Sequence, residues 1–301
     1  MKHGLLLIDK PVGCTSHDVV HVVRKAVGQK KVGHCGTLDP DATGLLVLTL
    51  GWGTRLTRFL IRAPKVYEGC IRFGTATDTY DASGKVTLDR STDDLTRERI
   101  EEAMTFFVGT YDQQPPSYCA KKIGGVKYYE LARRGQEVPR DTKKVDVFRF
   151  ECTGRPSSDS IGFLLSCSSG TYARSLAHEL GARLDNAAHL AGLRRLQVGG
   201  LRVENAMTLD DLANFEGEPE TLESWIPFDQ IPLPFGEIEA DGQQERRITH
   251  GQTMLVDQLE MEEGDWVRVI NGSHQMVAVG TVIERVGKRG VGVVQPRIVF
   301  K

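Results

Sequence analysis

The sequence predicts an α+β fold: a mixed-sheet domain over residues 1–230 and a smaller β-rich module over 231–301. Three observations carry this. Segments with strand and helix character follow one another without a regular strand–helix–strand rhythm, which disfavours a doubly wound parallel sheet. An acidic stretch containing Pro219, Pro227, Pro232 and Pro234 reads as a boundary. Beyond it, DWVRVI and SHQMVAVGTVI flank Asn271-Gly272, a strong hairpin signal.

The elements follow in order. GLLLIDKPVG reads as a strand ending at a Pro-Gly turn. TSHDVVHVVRKAVG is helical, with Val19, Val20, Val23 and Val27 at helical spacing, Thr15 or Ser16 as N-cap and Gly28 as the stop. LLVLTL at 45–50 is an apolar run of buried-strand length. Tyr67 to Phe73 reads as a further strand that leads into a polar turn. In LTRERIEEAMTFFVG, Ile100, Ala103, Met104 and Phe107 form one helical face. VDVFRFECTGRPSSDSIGFLLSCSSG gives two strands joined by a Pro/Ser/Asp turn. TYARSLAHELGARL is a helix with Leu176, Leu180 and Leu184 four apart.

The composition, 40% hydrophobic and 26% charged, is that of a globular chain with a real core. No apolar run reaches bilayer-spanning length. GLLLID is too short, and too soon followed by Lys10-Pro11, for a signal-peptide core, so a cytoplasmic location is expected. The six cysteines are scattered and form no C-x-x-C pair, which disfavours a zinc ribbon and reads as reduced thiols. The net charge is −2, but residues 204–241 hold 11 Asp and Glu and no Lys or Arg, leaving +9 elsewhere. Residues 117–150 carry 9 Lys and Arg against 4 Asp and Glu. A polyanion feels this local field rather than the sum, because salt screens beyond roughly 8 Å. Solvated faces are the plainer explanation of such runs.

HCGTLDPDATG at 34–44 holds the sharpest local signal. Pro40 biases Asp39 away from helical backbone, and Gly36 and Gly44 permit close approach of backbone or ligand. A carboxylate on such a bend is either a poised reactive group or an Asx turn bonded to its own backbone.

With LLIDKPVGCTSHDVV, VGHCGTLDPDATGLL, YEGCIRFGTATDTYDASG, QQPPSYCAKKIGGVKYYELAR, CSSGTYARSLAHELG and HLAGLRRLQVG in order, the chain resembles the bacterial tRNA pseudouridine synthase B family nearly end to end. The resemblance implies a mixed-sheet pseudouridine synthase domain with a thumb-like insertion, followed by a PUA-like RNA-binding module. It implies an isomerase that converts the uridine at position 55 of the tRNA T-loop to pseudouridine. It further implies a monomer whose partner is the tRNA T-stem-loop, with no protein partner and no membrane. The reaction breaks the C1′–N1 bond and rejoins the base through C5, with no redox change. It therefore requires no metal and no cofactor, in keeping with the lack of GxGxxG or P-loop patterns. It does need a group that attacks and then leaves, which a carboxylate can do.

The resemblance places that role on Asp39 and pairs it with Arg174, whose charge would favour the ionised form. Tyr67 is implied to stack on the base, with Tyr172 and Leu193 lining the same pocket. His34 is implied to fill the space left by the flipped base. Lys10, Lys121, Lys122 and Lys127 fit phosphate contacts or loop support and are candidate RNA contacts, and residues 117–145 resemble the segment that closes over the T-loop. Each has a plainer reading: core for Tyr67 and Leu193, a buried histidine for His34, solvated lysines for the rest. One departure stands out. The family usually has GHTG where this chain has Gly33-His34-Cys35-Gly36. Cysteine is close in size to threonine but a weaker hydrogen-bond partner. The change bears on loop packing, and a reactive Cys35 lacks an evident partner base.

Two other functions share parts of this pattern. Guide-RNA-dependent pseudouridine synthases share the aspartate motif, but residues 65–150 here, with their long insert and basic segment, resemble the stand-alone tRNA enzyme instead. A non-enzymatic tRNA-binding chaperone would use the basic face and leave Asp39 as a turn residue. A glycosidase is disfavoured, because that chemistry uses two carboxylates and Asp41 matches no role.

Overall fold

In a computed structural model of the chain, residues 1–116, 122–123, 126–127, 142–285 and 290–301 are described. Strand β1 (Gly4–Lys10) leads into helix α1 (Ser16–Ala26). Thr15 caps that helix in a reciprocal box with Asp18, and Gly28 follows its end at φ +64°. Strands β2 (Val32–His34) and β3 (Thr43–Leu50) bracket the Asp39 bend. Strand β4 (Lys65–Phe73) carries Tyr67. The hairpin β5 (Thr75–Thr77) and β6 (Val86–Asp89) holds the TDTYDASG turn. Helix α2 (Arg97–Thr105) buries Ile100, Ala103 and Met104, as its pattern requires.

Strand β7 (Gly109–Gln113) and a two-residue ladder, β8 (Lys122–Ile123) with β9 (Val126–Lys127), precede the long β10 (Lys143–Ser157) and β11 (Ser160–Cys167). Helix α3 (Ala173–Arg183) buries Leu176 and Leu180. Strand β12 (Ala188–Val198) then enters the middle of the sheet. β13 (Leu201–Arg202), β14 (Met207–Thr208) and β15 (Trp225–Pro227) complete it.

The main sheet runs β14-β1-β3-β12-β4-β11-β10-β7 and is mixed: β12 pairs parallel with β3 and antiparallel with β4. That register sets Arg195 opposite both Gly44 and Tyr67, so the strand after the Asp39 bend and the tyrosine strand share one neighbour. The C-terminal module is a five-stranded sheet from β16 (Gly236–Ala240), β17 (Met254–Val256), β18 (Trp266–Asn271), β19 (Met276–Arg285) and β20 (Gly292–Val299). A helix, α4 (Gly242–Thr249), packs against it.

The fold adds detail to two readings of the sequence. The acidic stretch carries structure of its own: β14 and β15 both pair with β1, and Leu212, Trp225, Phe228 and Ile231 are buried among the acids. The Asn271-Gly272 hairpin forms, but its turn runs on to Gln275. Asn271 Oδ1 accepts from the backbone of Ser273 and Gln275, and His274 takes the left-handed conformation. The module also shares a core with the larger sheet, where Leu5, Leu7 and Val47 pack in one cluster with Met276, Val279 and Phe300. Arg55 donates to the Val299 carbonyl across that seam.

Candidate active site

The Asp39 bend is fixed by groups that the flanking sequence supplies. Buried Ser16 accepts from the Leu38 amide (2.9 Å) and donates back to its carbonyl (3.2 Å). The Pro40 carbonyl accepts from the Gly13 amide (3.0 Å) and from Lys10 Nζ (3.1 Å). The Asp39 carbonyl closes the turn by accepting from the Ala42 amide. Gly44 sits at φ +97°, and a Cβ there would lie 2.3 Å from the Arg195 carbonyl, so only glycine fits. Arg195, 1% exposed, joins both ends of the bend by donating to the carbonyls of Leu45 (2.7 Å) and Gly36 (3.1 Å). Its strand position faces Tyr67 across the register, and its charge acts on the Tyr67 phenol.

The Asp39 carboxylate is not spent on an Asx turn. It meets Arg174, with Nε to Oδ2 at 2.9 Å and Nη2 to Oδ1 at 3.2 Å. Arg174 is buried and extends from the first turn of α3. Its Nη1 reaches Asp81 Oδ2 (3.3 Å) and the Thr79 carbonyl (3.2 Å), so one guanidinium bridges two carboxylates. Asp81 is itself held, accepting from Thr79 Oγ1 (2.6 Å), Ser83 Oγ (2.6 Å) and the Ser83 amide (3.1 Å).

Sequence reading missed Asp81, which looks like one more turn residue in TDTYDASG. Its neighbour gives a structural signal: Tyr80 is at φ +64°, strained for a bulky residue, and stacks on His178 at 3.9 Å.

Desolvation by the surrounding protein raises the Asp39 pKa above the ordinary carboxylate range. Asp81 and Asp41 push the same way, while Arg174 and Lys10 oppose. The cation expected beside Asp39 is present and does favour the charge, but burial outweighs it. The carboxylate side chain still keeps 45% of its surface exposed, toward the cleft. Burial also raises the Tyr67 phenol, with Arg195 opposing. Lys65, on the same cleft, is pushed down to about 8 by burial and the Arg195 charge, and donates to the Ala63 carbonyl at 2.7 Å.

A cleft of about 420 Å³ is lined by Asp39, Tyr67, Tyr172, Arg174, Leu193 and Arg195, among others. A recess of about 330 Å³ on the far side of Asp39 is shared by Asp41, Asp81 and Leu193. The five residues expected at the catalytic centre and base pocket are thus brought together.

The others fall elsewhere. His34 does not line this cleft; it is half-buried at the end of β2, edge-on to His17 at 5.6 Å. Burial first, then the charge of His17, lowers its pKa. Of the two readings of Lys10, loop support holds and phosphate contact is corrected: it is 0% exposed and donates to the carbonyls of Pro11 (2.8 Å) and Pro40, so it braces the bend and has no surface for a phosphate. Lys121 lies outside the described residues, and only the backbone pairing of Lys122 with Lys127 is described. Cys35 is fully buried in the core, its thiol pushed up to about 12, so it fills space and is no nucleophile.

A chain in the crystal structure of a Cbf5–Nop10–Gar1 complex superposes with a TM-score of 0.76 at 24% identity, covering 99% of this chain and 85% of that one. The sequence matches the TruB family pseudouridylate synthase (N terminal domain) over residues 24–173. The fold is that of a pseudouridine synthase. The tRNA pseudouridylate synthase B C-terminal domain is matched over residues 174–231. Relatives called tRNA pseudouridine synthase B share 38% identity in Solibacter usitatus (93% of this chain, 96% of the relative). The figures are 44% in Opitutus terrae (69% and 86%) and 38% in Streptococcus mutans (87% and 90%). The chain belongs to the TruB family of pseudouridylate synthases.

Proposed function

We infer that the chain isomerises uridine 55 in the T-loop of tRNA to pseudouridine, and that Asp39 is the group that attacks and departs. The observation that carries this reading is the Asp39 carboxylate held at 2.9 Å by Arg174 in a cleft walled by Tyr67, Tyr172 and Leu193. The target uridine has to leave its stack to reach the cleft, at a cost of a few kcal/mol that pocket and backbone contacts offset. Tyr67 stacks on the base, and Leu193 and Tyr172 close the pocket around it. Asp39 acts as the C1′–N1 bond breaks. The uracil turns, C5 bonds to C1′, and the C5 proton is lost as N1 gains one. Asp39 is released unchanged.

His34 supports the displaced loop from outside the cleft, and the basic residues after 117, Lys121, Lys122 and Lys127 among them, meet phosphates. The β-rich module from residue 231 onward adds RNA contacts. The enzyme works as a cytoplasmic monomer without a protein partner. Among the described residues, no helix is long and apolar enough to cross a membrane.

A guide-RNA-dependent role is not favoured. Relatives called tRNA pseudouridine synthase B reach 36–44% identity, whereas chains from the Cbf5 and H/ACA assemblies share 23–24%. The test is to incubate the purified chain alone with unmodified tRNA and map pseudouridine by mass. Pseudouridine confined to the T-loop is expected. Its absence, or its appearance only after a guide RNA is added, would overturn the reading.

A further inference from the structure

We propose that Gln113 is a positioning residue for this reaction: it grips the backbone of Tyr172 and so fixes the helix end from which Arg174 reaches Asp39. The proposal rests on the function inferred above. Gln113 ends β7, on the far side of the sheet from the Asp39 bend, and is 1% exposed. Its Oε1 accepts from the Tyr172 amide at 2.7 Å, and its Nε2 donates to the Tyr172 carbonyl at 3.1 Å. The same Nε2 donates to the Tyr111 hydroxyl at 2.7 Å, which sets the orientation of the amide. One side-chain amide thus matches both backbone groups of one residue, as a neighbouring strand would.

That residue is the N-cap of α3, and no side chain caps the helix from within. In an ordinary capping box the third helical residue reaches back to the N-cap amide. Here the third residue is Ser175, and its hydroxyl instead donates to the Gln114 carbonyl at 2.6 Å. Gln113 takes over the missing half of the box from another strand. The first turn of α3 is therefore bolted at two points to Gln113 and Gln114, with Arg174 between the bolts. Any pivot at Tyr172 moves the tyrosine that lines the cleft and the guanidinium 2.9 Å from Asp39 together. The chain runs directly from this clamp into the basic residues Lys121, Lys122 and Lys127.

The test uses Gln113→Met, which keeps volume and removes every hydrogen bond, and Gln113→Glu, which keeps the acceptor and loses the donor until the carboxyl is protonated. With T-stem-loop RNA bound at saturation, Gln113→Met should slow single-turnover isomerisation on the order of 10²-fold, the scale of an ångström-sized misplacement. Affinity for the RNA, spread over contacts outside the cleft as well, should fall far less than the rate. For Gln113→Glu, the rate relative to wild type at each pH should climb as pH falls and the introduced carboxyl regains its donor. A wild-type rate in Gln113→Met, or a flat ratio in Gln113→Glu, would overturn the proposal. Should Gln113→Met fail to fold, the Gln113→Glu ratio decides alone. If the wild-type chain leaves the RNA unmodified, the functional reading is what fails. The clamp is then judged without substrate, by the nitrogen-15 signal of the Arg174 Nε–H group, assigned through its loss in Arg174→Lys. Broadening or a shift in Gln113→Met supports it, and an unchanged signal overturns it.

Discussion

Arg174 and Arg195 both lie nearly buried in the Asp39 cleft, but they are satisfied by opposite means. Arg174 is shared between two carboxylates, Asp39 and Asp81. Arg195 donates to the Leu45 and Gly36 carbonyls, and forms no ion pair among the described residues. The first arrangement bears on a protonation state, since Arg174 and Asp81 push the Asp39 pKa in opposite directions. The second sets a shape, since carbonyls fix geometry without titrating. One wall of the cleft is therefore electrostatic and the other is a staple. Their failures should differ in kind.

Replacing the staple should break the fold first. Arg195→Met leaves the Gly36 and Leu45 carbonyls short of a donor and frees both ends of the bend. A loss of about 3–5 kcal/mol in urea unfolding is expected, the scale of a disrupted buried network. Arg174→Lys should do the reverse. It keeps the charge but loses the fork that reaches two carboxylates, so isomerisation should fall about 10²-fold, or about 3 kcal/mol, with unfolding little changed. If the two variants gave the same mixture of effects, the contrast between the walls would be wrong.

Smaller changes refine the contrast. Gly44→Ala forces a left-handed alanine against the Arg195 carbonyl and should cost about 1–3 kcal/mol of stability, measured by the same unfolding. Asp81→Asn tests the electrostatic wall alone. Burial first, and then Asp81, hold the Asp39 pKa above the usual range, so the acid limb of the wild-type pH–rate profile should lie above it. Without the Asp81 charge that limb should move to lower pH. The sign for stability is opposite to that for activity. A carboxyl whose folded pKa is raised contributes stability below its unfolded pKa and loses it as pH rises through the folded value. The wild type is thus penalised at neutral pH for the ionised Asp39 it needs, and Asp39→Asn should be at least as stable there.

The two walls also differed in how far the sequence disclosed them. HCGTLDPDATG announces a rigid bend because Pro40, Gly36 and Gly44 act locally. The caps of α1 and the buried faces of α2 and α3 are likewise periodic, local signals. Asp81 was hidden because it meets Arg174 across a sequence separation of 93 residues, inside a segment that reads as a polar turn. β12 carries the HLAGLRRLQVG motif but no clear strand pattern, since Gly192, Arg194 and Arg195 interrupt its apolar run. Yet it lies at the centre of the sheet, because its arginines find Asp9 and the backbone carbonyls of the bend. Lys10 beside Pro11 looks like a surface turn. Only the packed fold shows its ammonium turned inward to two carbonyls.

The most direct test of the account is made on one preparation of Asp39→Asn, with RNA affinity and single-turnover isomerisation of a T-stem-loop measured side by side. The substitution keeps the shape of the side chain and removes its ability to ionise and attack. Wild-type affinity with no detectable pseudouridine is the expected result. Pseudouridine formed at the wild-type rate would contradict the assignment of Asp39 and the mechanism built on it.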